Sequence, residues 1–200
     1  ISSDLNVDGS VYAKLSGVEK VTGIQGGADI GGSVNMNINS GGDAYGINSG
    51  NGQVAVDGAV NMDIVGNNGL IVTGIASIDD IIVNGNLNID IHDTNATSRM
   101  AAVIGNASGA TWIAIGGLQN NISLKNTKDS YWQTHGIYDR DSGGFDLGAN
   151  AVLNVVVEAN GVQSGSSGGS EGVFGLLLNN VDESITQNKS QLNVTVHGTA

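Results

Sequence analysis

The pentapeptide Val60-Asn-Met-Asp-Ile64 occurs in related form at seven places along the chain. Its first, third and fifth positions are apolar, which is the period-two pattern of a β-strand with one buried face. Only Asn120 places a polar residue among these apolar positions. The pattern therefore predicts seven equivalent strands. The other copies are Val11–Leu15, Val34–Ile38, Leu87–Ile91, Asn120–Leu124, Leu153–Val157 and Leu192–Val196.

Two further sequence features, here called landmarks, recur once for each of these strands. The first two pentapeptides begin 23 residues apart and the last two 39 residues apart, and the landmarks spread out with them. Because the spacings of all these features increase in parallel, they indicate one repeated structural unit whose loops lengthen along the chain. One landmark is an aliphatic residue usually preceded by Gly: Ile24, Ile47, Ile75, Ile104, Ile137 and Leu176. The weaker one lies upstream of each strand: Leu5/Val7, Ile30, Val54/Val56, Ile81/Val83, Ile113/Ile115, Leu147 and Ile185.

The length of the unit favours a coil over a flat sheet. A unit of 23 residues has a contour of about 75 Å at about 3.3 Å per residue, enough for one triangular turn of three short strands. The sequence thus predicts an all-β fold, a single-stranded right-handed parallel β-helix (solenoid) of about seven coils with three short strands each. Residues 1–200 are predicted to form one continuous segment. An ordinary β-sandwich or jelly roll is the alternative.

Composition narrows the classes of function. The chain has 32 Gly, no Pro, no Cys and a formal net charge of −12. Nucleic acid is not expected as a partner, because phosphate binding requires a basic surface. A disulfide framework and thiolate metal sites are excluded by the absence of Cys. No apolar run reaches the ~20 residues that span a bilayer, so this segment is not expected to be embedded in a membrane. No cofactor is predicted.

Short motifs at the glycine landmark resemble a known family. They are Thr22–Ile24, Tyr45–Ile47, Thr73–Ile75 and His135–Tyr138. Together with the repeat and the lack of Cys, they resemble the passenger domains of Gram-negative autotransporters and related filamentous-haemagglutinin-like adhesins. The resemblance implies one piece of a longer passenger that is extracellular at the bacterial cell surface, with outer-membrane anchoring through parts outside this sequence. It also implies adhesion or biofilm-type self-association, with the partner being another copy or a cell-surface protein or glycan.

One row of asparagines is the first candidate site. The second position of six consecutive pentapeptides is Asn, and alternation places these residues on the outer face of the predicted sheet. Stacked amides can hydrogen-bond along the axis of the coil, as they do in cross-β assemblies. The row is interpreted either as a flat polar face that binds glycan or a neighbouring rod, or as a ladder that only stiffens the coil. Its members are Asn35, Asn61, Asn88, Asn121, Asn154 and Asn193.

An aromatic segment and an acidic pair are the other candidates. The aromatic segment is predicted either to form a platform for a sugar ring or to pack as a loop over the rod. Asp63 and Asp90 would lie one coil apart, where two carboxylates approach the oxygen ligation that hard cations prefer; a solvated pair is the alternative, and no other metal site is predicted. The aromatic segment consists of Trp112, Tyr131, Trp132, His135 and Tyr138.

Three functions remain open from the sequence. The first is a non-enzymatic adhesin or surface stalk, and the second is a self-assembling extracellular filament, since the pattern of strands runs up to both termini. The third is a polysaccharide-degrading β-helix enzyme. Such an enzyme needs carboxylates clustered with Arg or Lys for proton transfer and charge stabilisation, whereas Lys and Arg together number only 7. The chain is therefore predicted not to be an enzyme.

Overall fold

A computed structural model describes residues 1–94, 99–105, 112–127, 133–139, 144–160, 172–178, 186–187 and 189–199. All of the regular elements in these ranges are β-strands. None of the described residues belongs to a helix long and apolar enough to cross a membrane. The strands are, in chain order, β1 (Leu5–Val7), β2 (Val11–Gly17), β3 (Val21–Gln25), β4 (Ala28–Ile30), β5 (Val34–Ser40), β6 (Ala44–Ser49), β7 (Val54–Val56), β8 (Val60–Gly66), β9 (Ile71–Ser77), β10 (Ile81–Val83), β11 (Leu87–Asp93), β12 (Arg99–Gly105), β13 (Trp112–Ile115), β14 (Gln119–Asn126), β15 (Gln133–Asp139), β16 (Gly144–Leu147), β17 (Val152–Asn160), β18 (Gly172–Leu178), β19 (Thr186–Gln187) and β20 (Gln191–Thr199).

These strands form three parallel sheets that run the length of the molecule. Sheet A consists of β1, β4, β7, β10, β13, β16 and β19; sheet B of β2, β5, β8, β11, β14, β17 and β20; and sheet C of β3, β6, β9, β12, β15 and β18. Apart from the first and last strand of each sheet, every strand pairs with its equivalents three elements earlier and later, so the chain visits the three sheets once per coil. This arrangement confirms the predicted parallel β-helix of about seven coils. Its right-handedness stays a prediction, based on the hand that parallel crossover connections prefer.

The pentapeptides form sheet B in exact sequence register. Val60 pairs with Val34 and Leu87, and Met62 pairs with Met36 and Ile89. Their side chains point inward, and Val60 and Met62 are 0% and 3% exposed. Each aliphatic side chain buried in this way contributes about 1.5–3 kcal/mol. The stacked inward residues of the three sheets make one continuous core along the rod.

A row of small residues in sheet C allows this core to close. It consists of Gly23, Gly46, Gly74, Ala102, Gly136 and Gly175. A Cβ atom on Gly23 would lie 2.8 Å from the Sδ atom of Met36, and one on Gly46 would lie 2.6 Å from the Sδ atom of Met62. The central side chains of sheet B therefore reach across the coil and pack directly on the backbone of sheet C. At Gly23 and Gly46 this close approach leaves no room for a Cβ atom, which is a common reason for glycine in a strand.

The structure corrects one landmark. Val103, and not Ile104, pairs with Ile75 and Ile137, and it lies in the main core with 1% exposure. Ile104 belongs to a separate small cluster with Tyr138. The prediction was one residue late because Ala102 occupies the position that is Gly in the other coils. Ile185, the last of the upstream landmarks, lies outside the described residues.

The single polar residue in the pentapeptide core is fully hydrogen-bonded. Asn120 is 0% exposed. Its Oδ1 atom accepts a hydrogen bond from the N–H of Leu87 at 2.8 Å. Its Nδ2 group donates to the carbonyl oxygens of Gly117 and Val152, at 2.5 and 3.2 Å. Buried polar groups are tolerated when they are paired in this way, so Asn120 replaces an apolar contact with a bridge between neighbouring coils.

The glycine row predicts a position-specific cost for one methyl group. We expect Gly46→Ala to lower the free energy of unfolding by about 1–3 kcal/mol, the usual range for overpacking a dense core. Gly50 has no atom within 4 Å of an added Cβ, so Gly50→Ala is the matched control and should change stability by less than about 0.5 kcal/mol. Urea unfolding followed by circular dichroism measures both. Equal effects of the two substitutions would contradict this account of the glycine row.

The buried asparagine predicts that a more hydrophobic core is less stable. Asn120→Leu restores an unbroken apolar ladder but leaves the buried N–H of Leu87 without its partner, which costs about 1–3 kcal/mol. We therefore expect a lower melting temperature. Ser123→Leu places the same side chain on the exposed face of the same strand and serves as the control. A rise in melting temperature for Asn120→Leu would show that the hydrogen bonds of Asn120 are dispensable.

Candidate functional site

The six asparagines predicted to stack do so on the outer face of sheet B. From Asn61 onward, each Nδ2 group donates to Oδ1 of the asparagine on the preceding coil, over 2.8–3.0 Å. Parallel in-register pairing brings equivalent residues about 4.8 Å apart, a spacing that neighbouring side-chain amides can bridge. The result is one continuous chain of five hydrogen bonds. We call it the amide ladder; its members are Asn35, Asn61, Asn88, Asn121, Asn154 and Asn193.

The two ends of the amide ladder differ because all five bonds run in the same direction. At one end, the Oδ1 atom of Asn193 also accepts a hydrogen bond from the Nε2 group of Gln191 at 3.2 Å. At the other end, the residue in register with Asn35 is Tyr12, whose side chain is 76% exposed. The Nδ2 group of Asn35 has no hydrogen-bond acceptor among the described residues. The ladder thus presents an unused donor beside an exposed aromatic ring.

A second outward row runs parallel to the amide ladder. In this row the Nδ2 group of Asn37 donates to the Oδ2 atom of Asp63 at 2.9 Å, and Asp63 is in register with Asp90 on the next coil. No group of three or more His, Cys, Asp or Glu residues suited to a metal ion occurs in the part of the chain that the structure describes. Cation binding by the two aspartates stays a prediction. The row consists of Lys14, Asn37, Asp63, Asp90, Ser123, Val156 and Thr195.

A shallow groove of about 610 Å³ separates the two rows. It extends from Tyr12 on the first coil to Ser123 on the fifth, which is four coil steps of about 4.8 Å, or about 19 Å. Its floor includes Met36, Met62 and Ile89; because their side chains point into the core, they contribute backbone atoms to it. The groove is therefore long, open and walled by amides on one side and by carboxylates, amides and one amine on the other.

The described members of the predicted aromatic segment lie outside sheet B and do not line this groove. His135 and Tyr138 lie in sheet C and are 0% and 4% exposed, with their ring centroids 4.8 Å apart. A third ring, Phe174 on the next coil, lies 5.4 Å from His135. Trp112 is half-buried at the start of β13 in sheet A. Tyr131 and Trp132 lie outside the described residues, and sugar binding by this segment stays a prediction.

The outer face of sheet C carries a tyrosine with a perturbed pKa. Tyr45 belongs to the same outward row as His135, three coils earlier in the chain. Burial and the nearby carboxylate of Asp43 raise the pKa of the Tyr45 hydroxyl, while Arg99 acts in the opposite direction. The Nζ atom of Lys20 lies 4.8 Å from the centre of the Tyr45 ring. This cluster is on a different sheet from the groove and takes no part in it.

In comparisons with known proteins, no family model, curated protein or solved structure matches this chain. The resemblance to autotransporter passengers therefore stays a prediction. The outer face of sheet B remains the best-defined candidate site because its geometry is continuous over most of the rod.

Sequence reasoning found the amide ladder but missed the groove beside it. Tyr12 occupies the position of the asparagine in the first pentapeptide. This difference in the sequence indicates that the ladder ends at Asn35. Of the second row, Asp63 and Asp90 were singled out from the sequence. What the sequence did not provide was the depth between the two rows, since that depends on how flat the sheet is.

The amide ladder predicts a stability cost for removing one of its central members. Asn88→Ala deletes two side-chain hydrogen bonds and leaves Asn61 and Asn121 unbridged, so we expect a loss of about 1–2 kcal/mol for these half-exposed groups. Asn6→Ala, at an exposed position on sheet A, is the control and should change stability by less than about 0.5 kcal/mol. Thermal and urea unfolding measure the difference. An Asn88→Ala protein as stable as the control would show that the ladder carries no stabilising energy.

Proposed function

We propose that this chain is a non-enzymatic segment of an extracellular adhesin at the bacterial cell surface, acting in adhesion or self-association. The observation that carries the proposal is the amide ladder, which continues without interruption over six consecutive coils. A surface that repeats the same polar group at every coil offers the same contact many times. Contacts that are individually weak add up when they engage together.

The architecture supports this role in a second way. Each coil contacts mainly its neighbours, so a solenoid is an extended scaffold that holds one face in constant orientation along its length. The inward residues are aliphatic and stacked, while the outward residues that line the groove over the first five coils carry amides, carboxylates, hydroxyls and one amine. The core therefore maintains the rod, and the outer face of sheet B is left for recognition. The formal charge of −12 disfavours non-specific aggregation of such rods.

Adhesion by this face is tested with beads coated with the folded chain. We expect coated beads to bind bacterial or host cells or to aggregate with one another. Ser123→Trp places a bulky ring in the groove from an exposed position, and we expect it to reduce binding at least tenfold. Asn6→Trp adds the same ring on the outer face of sheet A and should leave binding unchanged. Circular dichroism confirms that both variants are folded.

Two results would contradict the proposal. Folded wild-type chain that neither adheres nor aggregates at any coating density would exclude adhesion and self-association. Equal loss of binding in Ser123→Trp and Asn6→Trp would remove the outer face of sheet B as the site.

A further inference from the structure

We propose that the groove on the outer face of sheet B binds a neutral, polyhydroxylated oligosaccharide whose chain lies along the axis of the rod. This inference rests on the proposed function, because it names the partner of the same face. It is carried by three features of the groove: the hydrogen-bonding groups left over by the amide ladder, the two aspartates opposite them, and the exposed ring at one end.

The amide ladder leaves groups that match hydroxyls. A side-chain amide has two N–H donors and a carbonyl oxygen with two lone pairs. Asn61 and Asn88 each use one donor and one lone pair within the ladder, so one donor and one lone pair remain on each. A hydroxyl group both donates and accepts. It can therefore pair with the free N–H and the free carbonyl lone pair of each amide. A sequence of hydroxyls along a sugar chain meets one such amide at every coil.

The two aspartates of the opposite wall outnumber its one amine, Lys14, so the wall disfavours ligands with negative charge. Asp63 and Asp90 accept hydrogen bonds but donate none. Asp63 already accepts one from Asn37, and the remaining carboxylate lone pairs of both aspartates can accept hydrogen bonds from a ligand that donates. Sugar hydroxyls supply these donors, whereas uronates, sulfated sugars and phosphorylated sugars would place like charges together. The same repulsion disfavours a second copy of the chain docked face to face, since its own aspartates would enter the groove.

An added peptide strand is the wrong shape for this surface. Recognition of an extended peptide commonly uses unpaired backbone groups at the edge of a sheet. Here the backbone of β5, β8 and β11 is paired on both sides with neighbouring coils. The groove therefore offers side-chain groups and a flat floor, and these suit a ligand that brings its own hydroxyls rather than one that needs a β-ladder.

The open end of the ladder supplies a stacking position. Tyr12 lines the groove and is 76% exposed, so its ring has a face available for the apolar face of a sugar. Beside it, the Nδ2 group of Asn35 is the donor at the end of a chain of amide bonds. Hydrogen-bonded chains polarise their members, which makes this terminal N–H a stronger donor to a sugar hydroxyl.

Binding is tested by isothermal titration calorimetry with cellohexaose and mannohexaose as neutral probes and with oligogalacturonate as the anionic probe. We expect at least one neutral probe to bind, and oligogalacturonate to bind at least tenfold more weakly than that probe. Tyr12→Ala should weaken binding of the neutral probe at least fivefold. Leu70→Ala removes a 61% exposed apolar side chain outside the groove, and it should leave the affinity unchanged.

A double substitution tests whether the two aspartates cause the preference for neutral ligands. Asp63→Asn together with Asp90→Asn keeps the shape of the groove and removes both carboxylates, so we expect the preference for neutral over anionic probe to shrink at least threefold. A folded variant that discriminates as strongly as the wild type would overturn the role of the aspartates.

The outcomes separate this inference from the proposed function. If coated beads adhere or aggregate but neither neutral probe binds, the oligosaccharide inference is wrong and the adhesin proposal stands. Tighter binding of oligogalacturonate than of the neutral probes, or self-association through this groove, also overturns the inference. If beads do not adhere and neutral probes do not bind, both proposals fail.

Discussion

Parallel pairing in register between successive coils is the constraint on which this structure depends. Within each sheet, the N–H and C=O groups of the inner strands pair with the coils on both sides, so each residue lies about 4.8 Å from its equivalent on the next coil. Side chains in register on successive coils therefore stack on one another. The residue types at each position must be compatible as direct neighbours. Met62 stacks on Ile89 inside the coil for the same reason that Asn61 stacks on Asn88 outside it. The core and the amide ladder are two results of one constraint.

The row of small residues in sheet C fixes the thickness of the coil. Because Gly46 has no side chain, Met62 of sheet B packs against the backbone opposite. The cross-section then has no room to change from coil to coil, so added residues fall between the paired strands in the sequence. This explains how the spacing of the pentapeptides grows from 23 to 39 residues while the pairing of β14, β17 and β20 stays in register.

The repeat predicted the fold because both of its signals follow from the path of the backbone. Period-two alternation reflects the pleat of a strand, and the constant order of landmarks reflects a chain that visits the three sheets once per coil. The same pattern placed the six asparagines on one face. It misplaced Val103 because Ala102 replaced the glycine that marked the position in the other coils. It also gave no account of Asn120, since the partners of a buried amide are set by three coils at once. The depth of the groove depends on the curvature of the sheet and on how far the side chains extend from it. These quantities are set by the whole folded sheet, so a short sequence pattern does not predict them.

Asn120 also changes how the rod behaves as a one-dimensional array. In most solenoids the stability is a sum over units and over junctions between nearest neighbours, so a front of unfolding can advance one unit at a time. The side chain of Asn120, on the fifth coil, holds Leu87 on the fourth and Val152 on the sixth. Both contacts join nearest neighbours, so one buried side chain strengthens the junctions on the two sides of the fifth coil. A front of unfolding that reaches the fifth coil from either end must break these extra hydrogen bonds, which slows its advance through the middle of the rod.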